Sequence, residues 1–204
     1  MPGSTLWTVF DLFGVFVFAL SGGLAAARKR MDLFGFVVVS LLPAVGGGTL
    51  RDIVLGAPVF WVQNTAAIWV TIAAAVLTFL FAERLARAAS PVAWCDAVGL
   101  SVFCVLGAGK ALDYSGSPTI AVMMGVTTAV MGGLIRDVVC DEPPLILHRE
   151  IYATAAFFGA AIFTAAVTLG VDGAIALWVG AGACFLLRGA GIRFGLSLPR
   201  PRLS

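Results

Sequence analysis

Residues 43–52 read Pro43-Ala44-Val45-Gly46-Gly47-Gly48-Thr49-Leu50-Arg51-Asp52, and residues 130–137 read Val130-Met131-Gly132-Gly133-Leu134-Ile135-Arg136-Asp137. They are one pattern written twice, at an offset of 85 positions: Ala44-Val45 falls on Ala129-Val130, Gly47-Gly48 on Gly132-Gly133, and Arg51-Asp52 on Arg136-Asp137. The same offset, without a gap, carries Asp11 onto Asp96, Gly14 onto Gly99, Phe18 onto Phe103, Gly22 onto Gly107 and Pro58 onto Pro143. Self-similarity at one fixed period marks a structural unit used twice.

Composition says what solvent that unit lives in. Of 204 residues, 60% are hydrophobic and 12% charged. A soluble domain carries about 25% charged residues, so water is not the solvent for most of this surface. Mean hydropathy is +1.02. The 24 glycines suit close helix packing in lipid, where small residues let backbones approach. Apolar runs cover 6–27, 33–55, 62–82, 92–112, 119–139, 151–169 and 173–187. Each is near the roughly 20 residues that span a bilayer as a helix. The predicted fold is therefore an all-α integral membrane protein of seven transmembrane helices: two inverted three-helix repeats, 1–85 and 86–170, followed by a seventh helix and basic tail, 171–204. The inversion follows from the count. A unit of three spans starts its second copy on the opposite side, which relates the halves by an axis in the membrane plane.

Orientation is read from Lys and Arg. The face holding the first, third and fifth connections and the C-terminus receives Arg28, Lys29, Arg30, Arg84, Arg87, Arg136, Arg149, Arg188, Arg193, Arg200 and Arg202; the other receives Arg51 and Lys110. The C-terminus is expected in the cytoplasm and the N-terminus outside. No basic segment precedes the first run, so that helix is expected to be its own insertion signal. Arg188, Arg193, Arg200 and Arg202 are candidates for contact with anionic lipid, although ordinary positive-inside charge explains them equally well.

The candidate site is the glycine pattern and the charges around it. Glycine costs about 0.8–1.0 kcal/mol against alanine in a helix interior. Gly46, Gly47 and Gly48 after Pro43, with Thr49 beside them, are expected to kink or unwind the second helix; Gly132 and Gly133 do the same, less strongly, to the fifth. Irregular backbone at membrane depth lines a wet cavity or is buried in protein, and interrupted segments at matching places in two halves point to a transport site. The alternative is a close-packing patch. Arg51-Asp52 falls near the outer end of its span and Arg136-Asp137 near the inner end. Asp52 and Asp137 could concentrate cations at two mouths, braced by the arginines, or each pair could simply pin its helix. Asp11 and Asp96, early in the first and fourth helices, read as caps favoured by the helix dipole or as partners of Arg51 and Arg136. Lys110 reads as snorkelling to the outer surface or as a charge facing the pore. Leucine at Gly47 or Gly133 is expected to block conduction.

Little points to catalysis. His148 stands alone in a connection, and Asp141-Glu142-Pro143-Pro144 reads as a rigid inner turn. Cys95, Cys104, Cys140 and Cys184 show no metal-ligand spacing and read as small apolar residues. With no triad, metal set or phosphate loop, the reading is of a protein that is no enzyme and has no cofactor, resident metal or nucleic-acid partner.

The segments GGGTLRD and GGLIRDVVCDEPPLIL, each closing the second helix of a repeat, resemble the prokaryotic TRIC (trimeric intracellular cation channel) family over nearly the whole chain. The resemblance implies a homotrimer in the prokaryotic inner membrane. Each seven-helix subunit would have its own pore for monovalent cations such as potassium, beside kinks at Gly46, Gly47, Gly48, Gly132 and Gly133. Animal members carry Lys-Glu-Val in the fourth helix; here Lys110 is followed by Ala111 and Leu112, so voltage sensing does not carry over. Bacterial relatives are also catalogued as glycine transporters, which keeps a secondary carrier as the alternative.

Overall fold

In a computed structural model, residues 5–85, 91–147 and 151–197 are described. Arg87, His148, Arg149, Arg200 and Arg202, singled out above, lie outside them. The long helices are α1 (Thr5–Arg28), α2 (Leu33–Val54), α3 (Ala66–Leu80), α4 (Pro91–Ser115), α5 (Pro118–Val139), α6 (Ala153–Thr168) and α7 (Gly173–Phe194). Single helical turns at Phe60–Gln63 and Ala82–Leu85 flank α3, and a 3-10 turn, Leu145–Leu147, follows α5.

Local chemistry sets the boundaries. The Asp32 carboxylate accepts from Gly35 N at 2.8 Å to cap α2. Ser117 caps α5, with Pro118 at its start. Asp172 accepts from Ala174 N at 2.9 Å to cap α7. The run expected at 62–82 is divided because Asn64 is extended (φ −135°), and its side chain instead caps Ala66 N at 3.0 Å. The basic tail expected from Arg188 begins later: α7 continues to Phe194 and ends at Gly195, whose φ of 62° is left-handed.

Helices α1, α2, α4, α5 and α7 are each long and apolar enough to cross a membrane; α3 and α6 are shorter apolar helices. Phe34, Trp69, Leu80, Trp178, Leu186 and Phe194 point outward and exposed, an arrangement that water would penalise and lipid does not. The most buried spans are α1 and α4, at 67% and 72%, against 39% for α2, α5 and α7. They form the centre. Phe18 of α1 stacks on Phe103 of α4 with centroids 5.2 Å apart, and these residues are 85 positions apart.

Helices α2 and α5 run unbroken through their glycines, against the expected unwinding. The magnitudes explain it. Three glycines cost about 3 kcal/mol in helix propensity, while each backbone group left unsatisfied in an apolar interior costs several. The glycines serve close approach instead. A Cβ on Gly132 would stand 2.6 Å from the Pro43 carbonyl oxygen, and one on Gly47 would collide with the Thr128 carbonyl. Pro43 and Thr128 are themselves 85 positions apart, so the two halves of this crossing repeat each other.

Candidate functional site: two charged cavities

At the C-terminal end of α2, Asp52 is fully buried. Its Oδ1 accepts from Arg51 Nε and Nη2, both at 2.7 Å, and from Lys110 Nζ at 2.8 Å. Its Oδ2 accepts from Phe60 N at 3.0 Å. The end of α5 repeats the arrangement. Asp137 Oδ1 accepts from Arg136 Nε at 2.9 Å and Nη2 at 2.7 Å, and Oδ2 from Leu145 N at 3.0 Å. In each half the carboxylate holds the arginine and ties down the segment beginning eight residues later. Thr49 belongs to the same brace: its hydroxyl donates to Val45 O at 2.7 Å and accepts from Trp61 Nε1 at 2.8 Å.

Each pair adjoins a cavity. The first, about 250 Å³, is lined by Trp7, Thr8, Asp11, Arg51, Ala67 and Lys110, among others. The second, about 260 Å³, is lined by Ala25, Arg28, Val92, Ala93, Arg136 and Asp137, with Glu142, Pro143 and Leu145. Trp7 and Arg28 are 21 residues apart on α1, which is roughly 30 Å along a helix, so the cavities open at opposite ends of the molecule. Offset by 85, Trp7, Thr8, Arg51 and Phe60 of the first fall on Val92, Ala93, Arg136 and Leu145 of the second, and Ala25 of the second falls on Lys110 of the first.

Several expectations change. Asp52 does not offer a carboxylate to the first mouth: both its oxygens are taken, and the groups facing the cavity are Asp11, Arg51 and Lys110. Asp137 does border the second cavity. Neither Asp11 nor Asp96 lies in the first turn of its helix, so neither is a dipole cap. Asp96 is fully buried and pairs across the core with Arg136 Nη1 at 2.8 Å. Asp11 lines the first cavity together with Arg51, with no ion pair joining them among the described residues. Lys110 turns inward to Asp52 rather than snorkelling outward. Gly48 lies under the Phe60 ring and Gly133 under the Tyr152 hydroxyl, while a Cβ on Gly46 would stand 3.3 Å from the end of the Ile135 side chain. Arg188 is buried, donates to Ile151 O at 3.3 Å and lies 5.0 Å from the Tyr152 ring centroid, which removes it from lipid contact. No cluster of metal-ligating side chains occurs among the described residues.

Sequence reasoning missed Ser21 and Tyr152. Ser21 Oγ accepts from Arg136 Nη1 at 2.8 Å. A lone serine inside an apolar run gives no signal. Tyr152 had one: tyrosine occurs twice in the chain, and the position 85 residues earlier is Ala67.

The fold and these cavities define an all-helical integral membrane protein with its buried charge gathered at two opposed sites. The chain belongs to the TRIC family. The family described as "Glycine transporter" matches residues 8–83 and again 93–168. The UPF0126 membrane protein of Vibrio cholerae is 45% identical over 96% of this chain and 83% of its own length. The UPF0126 inner membrane protein YadS of Escherichia coli K12 is 44% identical over 93% of both chains. Among solved structures, the TRIC trimeric intracellular cation channel orthologue from Rhodobacter sphaeroides superposes with a TM-score of 0.91 at 46% identity, over 95% of this chain and 100% of that one. A second, from work on conductance through TRIC cation channels, gives 0.86 at 34% identity, over 97% and 98%.

Proposed function

We propose that this protein is a cation channel of a prokaryotic inner membrane, conducting monovalent ions, potassium above all, through a path within each subunit. The observation that carries this is the pair of charged cavities at opposite ends of α1, with the glycine crossing of α2 and α5 at the depth between them. Relatives that are cation channels, at 46% and 34% identity, support it. So does a family match that occurs twice with both limits displaced by 85 residues. The architecture we assign is seven spans: inverted repeats 1–85 and 86–170, then 171–204. The N-terminus lies outside and the C-terminus in the cytoplasm, three copies form the assembly, and anionic lipid faces the basic end. Arg51, Lys110, Asp11, Arg136 and Asp137 line the mouths; Asp52 and Asp96 hold the arginines; Gly47 and Gly132 set the helix spacing.

One observation favours a carrier as second reading. The first cavity is lined by a carboxylate, Asp11, and by two cations, Arg51 and Lys110. That pattern suits a small zwitterion such as glycine.

Recording single channels of the purified protein in a planar bilayer, with potassium chloride unequal on the two sides, separates the readings. Discrete openings reversing near the potassium potential are expected. A silent bilayer, with glycine uptake by vesicles of the same preparation, would establish the carrier instead.

A further inference from the structure

The two cavities occupy equivalent places but do not reach equally deep. At the first, Asp11, Arg51 and Ala67 all line the open space. The residues 85 positions on are Asp96, Arg136 and Tyr152. Of these, only Arg136 borders the second cavity. Asp96 is drawn onto Arg136 at 2.8 Å and has no exposed surface, and Tyr152, only 2% exposed, covers both. A Cβ on Gly133 would stand 2.8 Å from Tyr152 Oη and 3.1 Å from Asp96 Oδ1, so the three groups converge on that glycine. The volume that is open beside Ala67 at one end is filled by a phenol ring at the other.

We infer that Tyr152 is the plug that closes the path at the Arg136 end, leaving the structure open to the Trp7 end and shut toward the other. The inference rests on the channel reading and names the regulation of that same path. Tyr152 is placed to act this way. It is the N-cap residue of α6, at the end of that helix rather than within it. Arg188 packs over the face of the ring at 5.0 Å and holds the preceding carbonyl, Ile151 O, at 3.3 Å. A desolvated cation over an aromatic face is a favourable contact, and this one keeps the ring seated on Gly133. The closed packing is not saturated, however. Among the described residues, neither Tyr152 Oη nor Asp96 Oδ2 has a hydrogen-bond partner. Buried polar atoms left unpaired raise the energy of the state that contains them, which keeps the plug reversible. When the ring leaves, Asp96 and Arg136 face an open space as Asp11 and Arg51 already do.

The test uses the full-length protein in planar bilayers with potassium chloride. Tyr152→Ala should raise open probability at least fivefold. Adding Ala67→Tyr to that variant, which places a ring at the equivalent position of the first cavity, should return it to the wild-type level or below. Size-exclusion chromatography in detergent checks that each variant assembles. If Tyr152→Ala does not assemble, Tyr152→Leu takes its place, with at least a threefold rise expected. Wild-type currents with an unchanged open probability in the assembled variant overturn the plug and leave the channel standing. Silence in the wild type with currents in the variant supports both. Silence in both overturns both.

Discussion

Asp52 has no contact with water, yet two cations depend on it. Arg51 and Lys110 both donate to its Oδ1, at 2.7 and 2.8 Å, and Arg51 is itself buried. Breaking a buried ion pair by removing one partner costs about 3–5 kcal/mol, because the orphaned charge stays buried. Asp52→Asn is therefore expected to lower thermal stability in detergent by that order. Lys110→Met added to it should cost less than the sum of the two single changes, because the second removes a charge the first has stranded. Asp137 holds one arginine and borders a cavity, so Asp137→Asn should cost measurably less than Asp52→Asn. Equal losses would mean that burial is not what separates the two ends. At this scale the sequence was legible only in part. Adjacent Arg-Asp pairs announce themselves, and their repetition assigns them to equivalent places. Arg188 does not: just past an apolar run it looks like surface charge. Its burial depends on an aromatic face and a carbonyl supplied from 36 and 37 residues away, at Tyr152 and Ile151.

The helices themselves were readable, because in lipid a continuous apolar run has little choice but to close its own hydrogen bonds. Their use of glycine was not. Three glycines after a proline look like a break when judged by propensity, but the cost of exposing backbone to hydrocarbon outweighs it, and what remains visible is the missing Cβ. This changes what substitution should do. Leucine at Gly47, expected from sequence to block a pore, would first drive α2 off α5. Even Gly47→Ala puts a methyl group onto the Thr128 carbonyl, a rigid backbone atom. Overpacking of this kind costs about 1–3 kcal/mol, and Gly47→Ala should lower the melting temperature accordingly. Gly46→Ala is the control: its methyl group would meet the end of the Ile135 side chain at 3.3 Å, a neighbour that can turn aside. It should change stability by less than about 0.5 kcal/mol, the range of a tolerated substitution. A melting series in one detergent reads both. A Gly46→Ala loss as large as that of Gly47→Ala would place the close approach elsewhere on the helix.

For the whole molecule, charge and symmetry act together. In the proposed inverted layout, the two halves would present similar surfaces to both sides of a membrane, so something outside the repeat must decide which way the chain inserts. Burial sharpens the charge argument that sequence could only count. Arg51 is buried and Lys110 is paired with Asp52, so neither offers free positive charge at the Trp7 end. Arg28, Lys29, Arg30, Arg84 and Arg193 are all exposed. They gather at the other end, where α1 finishes near the start of α4 and Trp94 packs on Phe185 of α7 at 6.1 Å. Lys29 also meets Glu142 there at 3.1 Å, a partly exposed pair worth little in stability but one that marks the connections as neighbours. Positive charge beside spans resists translocation, so this end should remain in the cytoplasm. Green fluorescent protein fused to the C-terminus should fluoresce in cells, and alkaline phosphatase at the same point should be inactive. Replacing Arg28, Lys29 and Arg30 together with glutamine removes three of the five exposed charges, and a fraction of the phosphatase fusion should then become active. Full phosphatase activity in the unaltered chain would reverse the orientation, exchanging the outer and inner ends of the path while leaving its two cavities in place.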